Sequence, residues 1–483
     1  MDNYKDASIQ KINSSPNNEG KSIEEGQNEF KQILYQLSQL YHNPDDLYQN
    51  INKLYDFNPT FDDTTELCMI DLLTQSNIIN ILFLNVQSNP QFCKPFLEFV
   101  LWLSEIEHSE TTLKPDLLDF LISLINPSIN ISIITYVADI LANFSKPNAK
   151  IASKITEKKA IHYFLEILNI RSKEQMDEDH QKFIISILSF FGDMLDFENF
   201  TPIDYFKPMI QAGLYFLDFP DDEILYHSLI LLCNASDTIF NYLFIPLISK
   251  QLDAVHKILK QVDNEDRELS QLAFDFLLNV TEQFNKETMF QLFSQCQEDL
   301  MLHLQNSIQL NKDNLINTLK LIGNMIESPK KTKDDSQSNP IFCYFNEFLI
   351  YNLPKLVDFD LLETKTIMAQ IFSKMTYLCT NEEKLKFVEN TKFIQTIFSL
   401  FNISSEIDYD LLVALNNLLD CASLNGETTI QHLCNSISEI ITIDELENLF
   451  IQSEENDLNL LNKYQFMRNQ VVKKMEKALN TPK

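Results

Sequence analysis

The chain has 483 residues and a formal net charge of −31, since 69 acidic side chains stand against 38 basic ones. This balance opposes binding to DNA, RNA and anionic membranes and favours a basic partner, although acidity can also serve solubility alone. Only six glycines are present and no glycine-rich phosphate loop occurs, so the composition argues against nucleotide enzymes.

The N-terminal residues 1–27 are polar and carry no periodic apolar pattern, which predicts a disordered tail. Apolar residues then recur at helical spacing from Phe30 onward, as in Ile33, Leu34 and Leu37. The sequence shows neither a signal peptide nor a long apolar span, and its eight cysteines form no CxxC pair. These features predict a soluble, reduced protein inside the cell.

Asparagine recurs at the same place in an apolar helical pattern along most of the chain. The residues are Asn143, Asn234, Asn279, Asn324 and Asn417, with Glu105, Asp193 and Lys374 in the equivalent place of weaker copies. The step is about 45 residues on average, which is the period of armadillo and HEAT repeats. The sequence therefore predicts a helical repeat protein.

A second landmark has the same period, because a short polar break precedes each of these helices. The breaks lie at Pro127, Asp177, Asp221, Asp266, Asp313, Asp358 and Asp408. Within residues 205–237, Pro208 and Gly213 divide the pattern once and Pro220 divides it again, which indicates three helices in one repeat.

The predicted fold is an all-α, right-handed superhelical armadillo-repeat solenoid of about nine to ten three-helix repeats. We expect the solenoid to cover residues 28–475, with an exposed loop insertion at 328–340 and a short C-terminal tail at 476–483.

Several segments resemble the importin-alpha family of nuclear import adaptors over about residues 60–475. They include IQAGLYFLDFPDDEI, the glycine-asparagine helix LKLIGNMIES and the last asparagine helix LLVALNNLLDCA. The resemblance implies that the third helix of each repeat lines a concave groove. There, asparagine amides bind the backbone of a basic nuclear-localisation peptide, and tryptophans four residues earlier flank its lysines. The amide clamps implied here are Asn143, Asn234, Asn279, Asn324 and Asn417.

The sequence departs from the family at the tryptophan positions. The residues four places before the asparagines are Asp139, Ile230, Asp275, Lys320 and Val413. Asp139 and Asp275 could bind lysine electrostatically, and Asp193 replaces one asparagine, so these three carboxylates complete the predicted peptide-binding site. The single tryptophan, Trp102, lies one residue past the expected place and is predicted to pack in the core.

Two functions stay open at this point. In one, the chain is an import adaptor for basic cargo; importin beta is not an expected partner, because the N-terminal segment lacks the family's basic helix. In the other, the asparagines bridge helices in an armadillo scaffold, for example a cytoskeletal or ciliary one, without transport activity. No catalytic, cofactor or metal motif is found among the histidines, serines and carboxylates, so we expect no enzyme, no cofactor and no metal site.

Overall fold

The computed structural model is α-helical and contains no strand in the part of the chain that it describes. The described residues are 23–40, 42–55, 63–146, 148–172, 176–195, 203–237, 241–310, 312–327, 362–401, 405–447 and 458–480. Residues 1–22 of the predicted tail, the loop insertion 328–340 and residues 481–483 lie outside them. Residues 23–27 were wrongly placed in the tail, because the first helix begins at Ile23.

The chain divides into two compact units, Met1–Phe240 and Asn241–Lys483. The helices of the first unit are α1 (Ile23–Gln39), α2 (Pro44–Asn50), α3 (Asn52–Tyr55), α4 (Asp63–Ser76), α5 (Ile78–Ser88), α6 (Cys93–Ser104), α7 (Pro115–Ser123), α8 (Ile131–Ser145), α9 (Ala149–Glu157), α10 (Ala160–Arg171), α11 (Glu178–Leu195), α12 (Ile203–Phe216) and α13 (Asp222–Asp237). Short 3-10 helices at Pro90–Phe92 and Ser109–Thr112 precede α6 and α7.

The second unit continues the same alternation of short and long helices. Its helices are α14 (Asn241–Ile248), α15 (Leu252–Leu259), α16 (Arg267–Gln283), α17 (Lys286–Leu310), α18 (Lys312–Glu327), α19 (Leu362–Leu378), α20 (Asn381–Val388), α21 (Thr391–Ser399), α22 (Ser405–Asn425), α23 (Glu427–Ser438), α24 (Ile443–Glu447) and α25 (Leu458–Leu479). Because α25 runs to Leu479, residues 476–479 are helical rather than part of the predicted tail.

Within each unit, one series of helices packs in chain order. Seven of them carry a residue of the repeating asparagine position, Glu105 directly follows another, and the last lies beyond Asn417. We call them the stacking helices: α6, α8, α11 and α13 in the first unit, and α16, α18, α19, α22 and α25 in the second. Each contacts the equivalent helix one repeat away, which is how a solenoid buries a continuous core. The predicted all-α repeat solenoid is confirmed.

The apolar residues beside the asparagines form this core, as the periodicity predicts. Leu231, Leu232, Phe276, Leu277 and Ile322 are at most 2% exposed. Burying side chains of this size stabilises the fold by about 1.5–3 kcal/mol each. The stacking helices are therefore held by their apolar sides, and their polar sides are left to face solvent or partners.

Three of the predicted polar breaks are helix N-caps. Asp177 Oδ1 accepts a hydrogen bond from the His180 backbone N–H at 2.9 Å, and Asp221 Oδ1 accepts one from Ile224 at 2.9 Å. Asp266 Oδ1 does the same for Glu268 at 2.9 Å. Each carboxylate satisfies a backbone donor that has no partner inside its helix.

Two other predicted breaks between helices, one at Asp408 and one at Pro208 and Gly213, were wrong. Asp408 is 2% exposed inside α22, so it is not a break between helices. Residues 203–216 form one helix, α12, although Pro208 and Gly213 had predicted a junction. A Cβ added to Gly213 would lie 3.1 Å from Leu231 Cδ2, so this glycine allows close packing of α12 on α13 rather than a turn. The expected three helices do occur in other repeats, for example α14 to α16 and α20 to α22.

Candidate functional site

The predicted amide clamps all lie on stacking helices. Asn143 and Asn234 are on α8 and α13 of the first unit, and Asn279, Asn324 and Asn417 are on α16, α18 and α22 of the second. All five are half-buried, between the apolar side of the helix and its open side. Their position agrees with the periodicity, while peptide binding by them stays a prediction.

Three of these amides bind the stacking helix of the preceding repeat. Asn143 Nδ2 donates to Ser104 Oγ at 3.1 Å, and Asn234 Nδ2 donates to the Gly192 carbonyl at 3.1 Å. Asn324 Nδ2 lies 3.3 Å from both the Leu278 carbonyl and Thr281 Oγ1. These three asparagines therefore bridge helices, which is the structural role that the scaffold alternative assigned to the asparagines.

The amide oxygens of three of these asparagines are open hydrogen-bond acceptors. Those of Asn143, Asn234 and Asn324 accept no hydrogen bond from the described residues. An amide that is fixed through its N–H still offers its oxygen as an acceptor for a peptide N–H. Asn417 differs, because its Nδ2 is buried and has no hydrogen-bond partner among the described residues.

Asp139 is half-buried on α8, and its surroundings disfavour the charged form. Burial raises the pKa of this carboxyl to about 6; a hydrogen bond with Ser186 lowers it in part, and the charge of Glu105 raises it again. The position four residues before Asn143, which holds tryptophan in the family, thus carries a poorly solvated carboxyl. Such a group favours a cation beside it.

A cavity of about 400 Å³ lies next to Asp139 on the polar side of the first unit's stacking helices. Its walls come from α6, α8, α11 and α13, and include Lys94, Tyr136, Lys182 and Glu223. The two lysines already have carboxylate neighbours: Lys182 lies 2.7 Å from Glu178, and Lys94 lies 4.0 Å from Glu98. The cavity is therefore a polar recess whose lining includes three carboxylates and two lysines.

The other two predicted carboxylates have partners within the chain. Asp193 Oδ1 lies 3.8 Å from Lys146 Nζ, and Asp275 Oδ1 accepts a hydrogen bond from Gln271 Nε2 at 2.7 Å. Asp275 is exposed, whereas the Asp193 side chain is 19% exposed. Of the three carboxylates, Asp139 thus has the environment that most favours an external cation.

Trp102 packs against aromatic neighbours, but it is half-buried and not part of the buried core that was predicted for it. Its ring centroid is 5.6 Å from that of Tyr55 and 5.9 Å from that of Phe99. Sequence reasoning missed the lysines of the stacking helices. Lys320 Nζ lies 2.8 Å from Glu363 Oε1, and Lys474 Nζ donates to Asn416 Oδ1 at 2.6 Å. Their partners are 43 and 58 residues away, so no local pattern could have found them.

Neither a metal-binding group nor a single helix that could span a membrane is found among the described residues. No group of three or more histidine, cysteine, aspartate or glutamate side chains there could hold a metal ion. In the same ranges, no single helix has the length and apolar character to cross a membrane. Only the pair Cys68–Ser76 and Ile78–Ser88 passes that test together, with a bend of 50° between the two segments.

Comparison with known proteins shows the fold and not the family. No family model and no curated protein matches the chain. Over its length it is similar to the crystal structure of an engineered protein, at 13% identity and a TM-score of 0.64, covering 92% of this chain and 99% of that one. The crystal structure of SYS-1 is similar at 13% identity and a TM-score of 0.54, covering 94% and 99%.

A designed armadillo repeat protein in complex with the peptide (KR)4 matches 53% of this chain and 99% of its own, at 14% identity and a TM-score of 0.41. The likeness to the engineered protein and to SYS-1, together with the stacked helices, shows that the chain is an all-α repeat solenoid.

Proposed function

We propose that the chain is a non-enzymatic adaptor that binds an extended basic peptide along its stacking helices, and that it works in nuclear import between cytoplasm and nucleus. The observation that carries peptide binding is Asp139, a half-buried carboxyl that has a serine hydroxyl and a second carboxyl as its neighbours and lies beside a cavity of about 400 Å³. The nuclear-import part of the proposal is supported by the sequence resemblance to the importin-alpha family.

A lysine or arginine side chain of a ligand in this cavity would place a positive charge beside the Asp139 carboxylate, which has Ser186 and Glu105 as its neighbours. Burial has removed water from the carboxyl, so the ionised form gains more from a cation here than it would at the surface. The Tyr136 ring on the same wall can contact the aliphatic stem or the charged end of the ligand side chain. The site thus favours a long cationic side chain over a neutral or acidic one.

The amide oxygens supply the second part of the interaction. An extended peptide presents a backbone N–H at regular intervals, and the oxygens of Asn143 and Asn234 are acceptors on stacking helices of the same unit. Their bridging N–H bonds hold the amides in place, so little side-chain entropy is lost on binding. Helix bridging and peptide binding are therefore compatible roles.

A scaffold without transport activity is the second candidate. The bridging bonds of Asn143, Asn234 and Asn324 favour it, because they give the asparagines a role that needs no ligand. The two functions differ in one measurable respect: an import adaptor carries a labelled basic cargo into the nuclei of permeabilised cells, whereas a scaffold leaves that cargo outside.

The direct test is a titration of a labelled lysine- and arginine-rich peptide against the wild type and Asp139→Asn. The variant keeps the shape and a hydrogen bond to Ser186 but removes the charge, and we expect its affinity to fall about threefold to tenfold. Lowering the pH from 7 to 5 should weaken the wild type in the same direction, because Asp139 becomes protonated below about 6.

Glu166→Gln is the matched control. Glu166 is an exposed carboxylate on α10, outside the stacking helices, and its loss should leave the affinity unchanged. If both variants lose the same affinity for the peptide, the effect comes from the net charge of the protein and not from Asp139. Absence of any binding at low salt would overturn the adaptor and leave the scaffold.

A further inference from the structure

Lys474 of α25 reaches back to the preceding stacking helix, α22. Its ammonium group donates to Asn416 Oδ1 at 2.6 Å and forms an ion pair with Asp420. The Asn416 amide is oriented for this contact, because its Nδ2 lies 3.5 Å from Asp420 Oδ2 while its oxygen faces the lysine. An amide oxygen and a carboxylate thus surround one primary ammonium group.

The acceptors belong to the open side of α22. Tyr409, Val413, Asn416 and Asp420 are spaced i, i+4, i+7 and i+11, so they form one stripe along the helix. Asp420 is exposed, and the other three are half-buried. A peptide that lies along the stacking helices of the second unit would cross this stripe.

A second observation comes from the neighbouring amide. Asn417 Nδ2 is buried and has no hydrogen-bond partner in the described part of the chain. A buried donor without a partner costs free energy until an acceptor reaches it. The residue as a whole is half-buried, so rotation of its amide would bring this N–H to the surface of the helix that presents Asn416 and Asp420, where the backbone carbonyl of a bound peptide could accept its hydrogen bond.

We propose that Asn416 and Asp420 form a lysine-binding subsite of the peptide-binding surface, which the chain's own Lys474 occupies when no ligand is present. This inference rests on the proposed function, since it assigns the same class of ligand, a basic peptide, to the second unit taken by itself. The ligand chemistry is a primary ammonium on a flexible stem, because that is the group the subsite already holds.

Binding at this subsite is then an exchange of one ammonium for another. Lys474 leaves Asp420 for solvent, and the ligand's lysine takes its place with no change in the charge of the site. The Lys474 side chain is 25% exposed and that of Asp420 is 55% exposed, so the exchange needs no opening of the core. Lys474 therefore acts as a built-in competitor that lowers the affinity for lysine-containing peptides.

The test is Lys474→Ala, with a labelled peptide of alternating lysine and alanine as the probe. We expect the variant to bind the probe about threefold to tenfold more tightly than the wild type. Lys473→Ala is the matched control, because it removes the same charge from an exposed position on the same helix and should increase affinity little. In Lys474→Ala/Asp420→Asn the gain should be lost.

The outcomes separate this inference from the proposed function. If the wild type binds the probe and Lys474→Ala does not bind it more tightly than Lys473→Ala, the subsite is overturned while the adaptor stands. If only Lys474→Ala binds, the subsite is supported and the wild type is closed to this ligand. If no variant binds, both proposals fail. Thermal melts of each variant establish that it is folded, and Lys474→Gln replaces Lys474→Ala if that variant is not.

Discussion

Asp139 and Asp420 are carboxylates on the same kind of helix with opposite surroundings. In the first unit, Asp139 is half-buried with Ser186 and Glu105 as its neighbours. In the second unit, Asp420 is exposed and holds the ammonium group of Lys474. A net charge of −31 therefore does not tell which carboxylates are open to a partner. What decides is whether a lysine of the neighbouring helix pairs with the carboxylate. Lys474 pairs with Asp420, whereas Lys182 lines the same cavity as Asp139 but pairs with Glu178.

The largest expected effect concerns Asp139 and stability. Its folded pKa of about 6 is above the ordinary value of 3.8, so the folded state binds more protons between these limits and the wild type loses stability as the pH rises through them. Asp139→Asn should raise the free energy of unfolding at pH 7 by about 1–3 kcal/mol, and the gain should vanish below about pH 4. Urea denaturation at several pH values measures it. If the gain in the free energy of unfolding is the same at all pH values, burial does not raise the pKa of Asp139 and the prediction is wrong.

The next largest expected effect is the difference in stability between substitutions of two of the repeating asparagines, Asn234 and Asn417. Asn234→Ala removes the bond to the Gly192 carbonyl and should lower the free energy of unfolding by about 0.5–1.5 kcal/mol. Asn417→Ala removes a buried donor without a partner, so it should cost less or even stabilise. Denaturation of the two variants side by side gives the difference. Equal losses would mean that the amide bridges contribute little beyond side-chain packing.

The smallest effect concerns Lys320 and Glu363. Lys320 Nζ and Glu363 Oε1 are 2.8 Å apart, but the two side chains are 42% and 55% exposed. Lys320→Ala should therefore change the free energy of unfolding by about 0–1 kcal/mol, and added salt should remove even that. A loss well above this range in denaturation experiments would show that lysines of the stacking helices hold the fold, rather than only neutralising its open side.

The period of the asparagines was enough to place the stacking helices, because a repeat of fixed length imposes one packing geometry on every copy. Asp177, Asp221 and Asp266 were identified as breaks for a local reason, since a carboxylate at a helix start binds backbone donors nearby. Asp408 shows where such a local rule fails. It has the same residue type at the same phase, yet it lies buried inside α22.

The chemistry of the candidate site was less accessible to sequence reasoning. Asp139 could be named from its place before Asn143, but its burial depends on α11, which supplies Ser186. The partners of Lys474 lie 54 and 58 residues away, farther than the average repeat length. Contacts of that kind follow from how far each helix is rotated in the stack, and a single sequence contains no record of that rotation.

The amide bridges also bear on how this chain tolerates substitution. In two of them the acceptor is a main-chain carbonyl, that of Gly192 or Leu278, which every amino acid possesses. The donor must be an asparagine of fixed reach, while the acceptor position can change its side chain without losing the bond. In each bridged helix pair, substitution of the donor asparagine should therefore be tolerated poorly, whereas substitution of the residue that supplies the acceptor carbonyl should be tolerated well.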